Sequence, residues 1–302
     1  MIDRRKFLSQ MVSAAALAGL SPAISACRCA CNSSRKPFKM GVADWSLLKG
    51  GDPSAFDVAK EIGLDGVQVS MNFEPENPVW GTPEKIAALK SAMARTNLEC
   101  ASTAAVCGKN PFIKYGTVVD YIKDACKASA QLGAKDMLVP FYGKGSLLDT
   151  STMRIKEEYF KPVVERLKLI APVAEKYGVT IGMENSLNAE DDIRIIEAVG
   201  SPAIKVYFDI MNFQYYGFET VPEMKKLKGY INQIHLKDIG HKLDSNSGMP
   251  RDMRACFDTI LEIGFDGWLV FETHGYNPKK LGPVEGLLKH NLEYVKNSVL
   301  FS

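Results

Sequence analysis

Eight short apolar runs, each followed by a segment of helical period, fill the chain from Lys39 to its end without a break in composition. The runs span residues 40–47, 66–71, 99–106, 136–142, 179–185, 205–212, 231–239 and 268–274. The helical patterns lie near residues 54–62, 83–96, 117–132, 153–177, 189–199, 221–228, 252–263 and 283–299. Alternation of this kind predicts parallel strands crossed by helices. With each of eight strands followed by its own helix, the α/β class narrows to a single (β/α)8 barrel, the TIM barrel. The runs are apolar on both faces, as in Val270-Phe271, because a barrel strand meets packed interior on one side and helices on the other. An open doubly wound sheet is the competing architecture, but the Gly-x-Gly-x-x-Gly turn that would support it does not follow the first run.

Local chemistry supports the boundaries. Thr82-Pro83-Glu84 predicts a helix start, with the proline where its missing N–H is not needed. Two segments, Ile62-Gly63-Leu64-Asp65-Gly66-Val67 and Ile263-Gly264-Phe265-Asp266-Gly267-Trp268, share one pattern: a helix ending on glycine, an apolar residue, Asp-Gly, and a strand. They are an internal echo of one βα unit.

Residues 1–26 are set apart as an address rather than structure. Arg4, Arg5 and Lys6 precede Phe7 and Leu8 and a mild apolar run from Met11 to Leu20, the form of a twin-arginine export signal. Ile24-Ser25-Ala26-Cys27 resembles a lipobox, in which Cys27 would carry lipid; plain cleavage after Ala26 is the alternative. Residues 27–38 then form a tether and 39–302 the catalytic barrel, in an exported protein that is periplasmic or membrane-anchored in a bacterium. No other apolar run approaches the roughly 20 residues that cross a bilayer, so membrane contact would come only through the lipid. No feature of the sequence specifies an oligomer.

Removing residues 1–26 takes three basic and one acidic side chain from totals of 37 and 35, which leaves the remainder formally neutral. Nucleic-acid binders draw affinity from a basic excess, so no nucleic-acid partner is expected. Of the seven cysteines, Cys27, Cys29 and Cys31 crowd the tether without histidine neighbours, a weak metal signature. Cys100, Cys107, Cys126 and Cys256 are dispersed in apolar or helical settings and are expected as buried thiols.

In a (β/α)8 barrel, polar residues at the C-terminal strand ends converge on one mouth. The last four runs each deliver a ligand type there: Glu184, Asp209, His235 and Glu272. Singly, each has an ordinary explanation as a helix cap, a surface ion pair or a hydrogen-bonded core imidazole. Together, three carboxylates and an imidazole in an apolar-walled mouth would leave several kcal/mol of uncompensated charge without a cation. One imidazole with three carboxylates is an oxygen-rich set that favours Mn²⁺, with Mg²⁺, Zn²⁺ and Co²⁺ also able to occupy it.

With those residues in place, the chain resembles the xylose-isomerase-like superfamily of sugar phosphate isomerases and epimerases over about residues 39–300. The resemblance is carried by Met183-Glu184-Asn185, Phe208-Asp209 with Asn212, His235-Leu236-Lys237-Asp238, and Gly264-Phe265-Asp266-Gly267-Trp268-Leu269-Val270-Phe271-Glu272. It implies that Glu184, Asp209, His235 and Glu272 ligate the metal and that Glu184 and Glu272 are the acid/base pair. The implied chemistry is proton abstraction beside a carbonyl polarised by the metal, with return of the proton to the other face in an epimerase or the same face in an isomerase. With a leaving group beside the carbanion, as in a 3-keto-glycoside, the same site would act as a lyase or dehydratase.

Two positions depart from the ketose 3-epimerases of this superfamily. Asn212 stands where they have a histidine three residues after the aspartate ligand, and His241 where they have an arginine six residues after the histidine ligand. Both alter substrate contacts and leave the ligand set intact. Lys237 either polarises a substrate oxygen or pairs with a carboxylate, and His274 lies close enough in sequence to Glu272 to reach the mouth. Trp45, Phe73, Trp80, Phe141 and Tyr142 fall at early strand ends, where they either stack on a sugar face or pack the core, with Trp45 the best stacking candidate. Two other functions compete with the small-carbohydrate enzyme. A phosphoesterase of the apurinic endonuclease type would need a multi-zinc, histidine-rich cluster, and the chain has four histidines. A carbohydrate-binding barrel without turnover would not require both Glu184 and Glu272.

Overall fold

The computed structural model describes residues 38–107, 112–114, 116–238, 240–244, 252–273 and 275–302. The export signal, the lipobox at Cys27 and nearly all of the tether lie outside these residues, as does His274. Among the described residues no helix is long and apolar enough to cross a membrane.

Among the described residues ten strands form in chain order: β1 (Met40–Ala43), β2 (Gly66–Asn72), β3 (Glu99–Val106), β4 (Asp136–Pro140), β5 (Leu148–Asp149), β6 (Arg154–Ile155), β7 (Thr180–Glu184), β8 (Ile204–Asp209), β9 (Ile231–Leu236) and β10 (Leu269–Phe271). Strands β5 and β6 pair as a small antiparallel hairpin. The other eight are parallel and close in the order β1-β10-β9-β8-β7-β4-β3-β2, with β1 bonded to both β10 and β2. The helices are α1 (Ala55–Ile62), α2 (Pro83–Thr96), α3 (Val118–Gln131), α4 (Glu157–Tyr177), α5 (Ala189–Val199), α6 (Ile210–Tyr215), α7 (Thr220–Lys226), α8 (Met253–Glu262), α9 (Pro278–Leu281) and α10 (Val284–Lys296). The eight-stranded barrel is the architecture that the alternation predicts.

Thr82 caps α2 as expected, its Oγ1 accepting from the Lys85 N–H at 3.3 Å. The echoed Gly-x-Asp-Gly segments have a common physical cause. Gly63 and Gly264 end α1 and α8 with φ of +91° and +75°, where a side chain would be strained. At Gly66 a Cβ would lie 2.5 Å from the Glu99 carbonyl oxygen, and at Gly267 it would lie 2.9 Å from that of Asn232. Each glycine therefore lets its strand enter the barrel against a neighbouring backbone.

Several runs stop short of their predicted ends. The first ends at Ala43 and turns through a 3-10 segment, Asp44–Leu47. Asp44 Oδ2 accepts the N–H groups of Gly51 and Ser70 at 2.8 Å each, which curls the chain back over β2. The sixth ends at Asp209 because that carboxylate starts α6 directly. The predicted helix over 153–177 begins only at Glu157, since Arg154 and Ile155 belong to the β5–β6 hairpin.

Two layers of packing result. Phe208, Ile234 and Phe271 face the helices and are fully buried, and burial of each such side chain contributes about 1.5–3 kcal/mol. The interior-facing alternates include Ala104, Leu138 and Tyr207, which form their own small apolar cluster with Trp45 and Val106 against it. Gln68, Ser102, Gln233 and His235 are also fully buried, so the barrel interior is unusually polar. Cys100, Cys107, Cys126 and Cys256 are buried and form no disulfide among the described residues, as predicted.

Candidate active site

Alternation along β7, β8 and β9 places Glu184, Asp209 and His235 on the interior face at the C-terminal strand ends, and Glu272 follows β10 directly. Register completes the arrangement: Asp209 pairs with His235, and Val270, two residues before Glu272, also pairs with His235. One ligand atom from each of the four lies within 4.8 Å of all the others. His235 Nδ1 is 3.3 Å from both Glu184 Oε1 and Glu272 Oε2 and 4.0 Å from Asp209 Oδ2.

Local structure aims each group. Asp209 caps α6 with Oδ1, accepting from the N–H groups of Met211 at 2.8 Å and Asn212 at 3.1 Å, which leaves Oδ2 toward the cluster. Asn185 anchors the end of β7: its Nδ2 donates to Asp192 at 2.7 Å and its Oδ1 accepts from the Leu187 N–H at 2.7 Å. The adjacent Glu184 accepts from Asn212 Nδ2 at 3.4 Å. Trp45 donates its indole N–H to Glu272 Oε1 at 3.1 Å, and its ring meets the His235 ring edge-on at 6.1 Å. Lys237 Nζ lies 2.8 Å from Glu272 Oε2 and 3.1 Å from Asp209 Oδ2. Of the two roles open to Lys237, the structure displays carboxylate pairing, in a buried setting.

Charge compensation pervades the cluster. Burial pushes the Asp209 carboxyl up to about 7 despite Lys237, with the charges of Glu272 and Glu184 adding to the rise. Burial would raise Glu272 too, but Lys237 and His235 outweigh it and hold that carboxyl well below the usual range. Burial pulls the His235 imidazole down, yet hydrogen bonds to Glu184 and Glu272 and their charges lift it to about 9. The Lys237 ammonium is raised in the same way, the three carboxylates overcoming the effect of its burial.

These residues fit a divalent cation. Asp209 Oδ2 and Glu272 Oε2 are fully buried yet accept no well-aligned hydrogen bond, although Lys237 Nζ is close enough to both to pair with them. With the imidazole in the neutral form that ligation requires, three carboxylates against one ammonium leave a formal charge of two to neutralise, and the donors are oxygen-rich with a single imidazole. Among the described residues this is the one group of three or more such side chains close enough to share an ion.

The remaining predicted contacts divide. Asn212 and Trp45 reach the cluster through Glu184 and Glu272. His241 has φ of +67°, its ring lies edge-on to Tyr276 at 5.2 Å and its carbonyl accepts from Asn291 at 2.9 Å. Phe73, Trp80 and Phe141 are buried packing residues: Phe73 lies against Tyr121, Phe141 against Phe112, and the Trp80 indole donates to the Ala104 carbonyl at 3.0 Å. Of the two readings open for these three, the structure displays core packing: they follow strand ends, but their rings turn into the core. Tyr142 stays 50% exposed, and burial with the charges of Glu184, Cys107 and Glu272 raises its hydroxyl.

Two interior residues had not been singled out. Gln68 Oε1 lies 2.8 Å from His235 Nε2, and Gln68 Nε2 donates to the Tyr207 hydroxyl oxygen at 3.1 Å. The available signal was an amide alternating with valines in Val67-Gln68-Val69, a polar side chain on the interior face of a strand. A cavity of about 360 Å³ opens at the opposite end of the barrel beside Asp136, Lys205 and Asn232. Burial lifts the Asp136 carboxyl to about 6 there, and Asn232 and Gln233 bond it; polar groups at that end of such barrels serve stability.

Fold and site together define a (β/α)8 barrel with one acidic, single-imidazole cluster at its catalytic end. The chain belongs to the family described as xylose isomerase-like TIM barrel, whose model matches residues 56–298. It is 22% identical over 203 residues to a 2-epi-5-epi-valiolone 7-phosphate 2-epimerase of Actinoplanes sp., covering 66% of this chain and 72% of the relative. A D-psicose 3-epimerase of Clostridium cellulolyticum H10, solved with D-tagatose, superposes with a TM-score of 0.69 at 14% identity, over 86% of this chain and 99% of that one. A 3-keto-D-glucoside 4-epimerase of E. coli does so with a TM-score of 0.65 at 17% identity, over 83% and 98%.

Proposed function

We propose that this protein is a divalent-metal-dependent isomerase or epimerase of a keto sugar or related carbohydrate. The observation that carries the reading is the gathering of Glu184, Asp209, His235 and Glu272 within 4.8 Å at the strand ends. The relatives, which are named as epimerases of sugars and a cyclitol phosphate, support it. Mn²⁺ is the favoured ion, held by those four side chains. A bound divalent ion supplies Lewis acidity, which makes a hydrogen beside a carbonyl easier to remove.

Glu184 and Glu272 are the acid/base pair. They sit on β7 and just after β10, with β8 and β9 between them, so they address the substrate from different sides of the mouth. One carboxylate removes the proton from one face and the other returns a proton to the opposite face, which inverts the centre. The Asn212 amide orients Glu184, and the Trp45 indole with the Lys237 ammonium orients Glu272. The Trp45 ring, beside that carboxylate, offers a flat surface to a sugar.

The test is to assay metal content, then incubate the metal-loaded protein with free ketoses and 3-keto-glucosides in deuterated water. Deuterium at the carbon beside the carbonyl is the expected result, with a new epimer or isomer as product. Elimination of the glycosidic substituent would assign the lyase outcome of the same chemistry. No exchange with any ion or sugar would overturn the proposal and leave carbohydrate binding without turnover.

The same proposal includes export through the Arg4-Arg5 signal and lipid attachment at Cys27. Arg4→Lys with Arg5→Lys should hold the protein in the cytoplasm, and Cys27→Ser should abolish palmitate labelling. Unchanged export or labelling would remove the corresponding part.

A further inference from the structure

Beneath the acidic cluster, three interior side chains from separate strands interlock: Gln68 of β2, Tyr207 of β8 and His235 of β9. All are buried, with Gln68 and His235 fully so and Tyr207 at 1% exposure. Strand β2 is separated from β9 by β1 and β10 in the barrel, so Gln68 reaches His235 through the interior. The Gln68 carboxamide uses both ends. Its oxygen lies 2.8 Å from His235 Nε2, and its nitrogen donates to the Tyr207 hydroxyl at 3.1 Å. The Tyr207 ring also packs against the imidazole, with centroids 4.4 Å apart at 56°.

An imidazole can ligate a cation only through a nitrogen that carries no proton. The nitrogen facing the three carboxylates is Nδ1, so the neutral ring that serves a metal must carry its proton on Nε2. Inside a barrel, away from water, an N–H without an acceptor bears its full desolvation cost. Gln68 Oε1 is the group placed to accept it, and donation of the amide nitrogen to Tyr207 keeps that oxygen turned toward the ring. A reversed amide would present N–H groups to Nε2 and favour the tautomer with its proton on Nδ1, where the ion must bind.

We propose that Gln68, oriented by Tyr207, is a positioning residue that selects the metal-binding tautomer of His235 and fixes its ring plane. The inference rests on the metal site proposed above and adds a determinant of ion affinity from the second strand, remote in sequence from all four ligands. Outer groups that orient a ligating histidine typically change metal affinity 10–100-fold when removed.

The experiment measures Mn²⁺ affinity of the full barrel by titration calorimetry for wild type, Gln68→Met, Gln68→Glu and Tyr207→Phe. Gln68→Met matches the volume without the acceptor and is expected to weaken Mn²⁺ binding about 10–100-fold. Gln68→Glu restores an acceptor at the same reach and is expected to recover most of that loss, whereas a packing role alone would make a buried carboxylate the worse replacement. Tyr207→Phe should fall between. A second readout uses ¹⁵N-histidine protein loaded with diamagnetic Zn²⁺: the His235 Nε2 signal should be that of a protonated nitrogen in wild type and Gln68→Glu. Wild-type affinity in a folded Gln68→Met variant, or a proton on Nδ1 in the loaded wild type, overturns the proposal; if Gln68→Met fails to fold, the ¹⁵N spectrum of wild type decides. Absence of any ion binding by wild type overturns the metal reading as well, whereas binding unaffected at Gln68 overturns the positioning role alone.

Discussion

The indole N–H of Trp45 donates to Glu272 Oε1 at 3.1 Å, joining the first βα connection to the last strand across 227 residues of sequence. It orients one oxygen of the carboxylate while Lys237 holds the other. Trp45→Phe keeps most of the ring and removes the donor. Hydrogen bonds to charged groups contribute about 1.5–3 kcal/mol, so turnover should fall roughly 10- to 100-fold with little change in melting temperature. Steady-state kinetics and a thermal melt check this; unaltered kinetics would remove Trp45 from the orientation of Glu272.

Glu184→Gln and Glu272→Gln each replace an acid/base group by a near-isostere. Solvent deuterium exchange should drop by about 10²–10⁴-fold, the usual contribution of a positioned general base. Circular dichroism should remain that of wild type, because both side chains end strands rather than fill the core. A fully active variant would withdraw the role from that residue.

Lys237 is the cation closest to two buried carboxylates. Lys237→Met leaves Asp209 and Glu272 facing one another without it, and breaking a buried pair in this way costs about 3–5 kcal/mol. The loss should be largest in EDTA and partly reversed by Mn²⁺, which can neutralise the same oxygens. Melting curves with and without the ion test the sign of that reversal.

Asp44 gives a pH dependence independent of the cluster. Burial raises its carboxyl to about 7 in spite of three hydrogen bonds, from the Ser70 hydroxyl and the N–H groups of Ser70 and Gly51. The folded chain therefore keeps a proton that the unfolded chain releases near the ordinary aspartate value of 3.8. Its contribution to stability is complete below that value and declines as pH rises through about 7, by up to roughly 1.4 kcal/mol per pH unit. Asp44→Asn mimics the neutral acid. Urea unfolding at about pH 4.5, 6 and 8 should show the variant losing less stability across the window than wild type.

The barrel was legible because its periodicity is carried by many residues at once: eight apolar runs, and glycines that only close backbone approach explains. The four clustered side chains were legible for the related reason that consecutive strand ends of a barrel share one mouth. Strand ends were less legible. Asp44 and Asp209 stop their strands by bonding backbone N–H groups, and apolar residues that follow them, such as Trp45 and Ile210, extend the apparent run. Aromatic orientation was not legible, since Trp80 and Trp45 both lie after early strands and only packing turns one inward and the other toward Glu272. Gln68 was missed because its partner lies 167 residues away across the barrel. His241 matched a sequence offset, and its contacts with Tyr276 and Asn291 come from a loop conformation that no offset specifies.

Strand β8 passes into α6 with no intervening residue, and one Asp209 carboxylate serves both as the helix cap and as a candidate ligand. Lengthening the chain at that junction would rotate the free oxygen away from its three companions. Evolution of new specificity in this scaffold is therefore steered away from the sixth βα junction and toward connections that hold no ligand, such as those after the first and fourth barrel strands. The reaction class can thereby persist while the compounds admitted to it diversify.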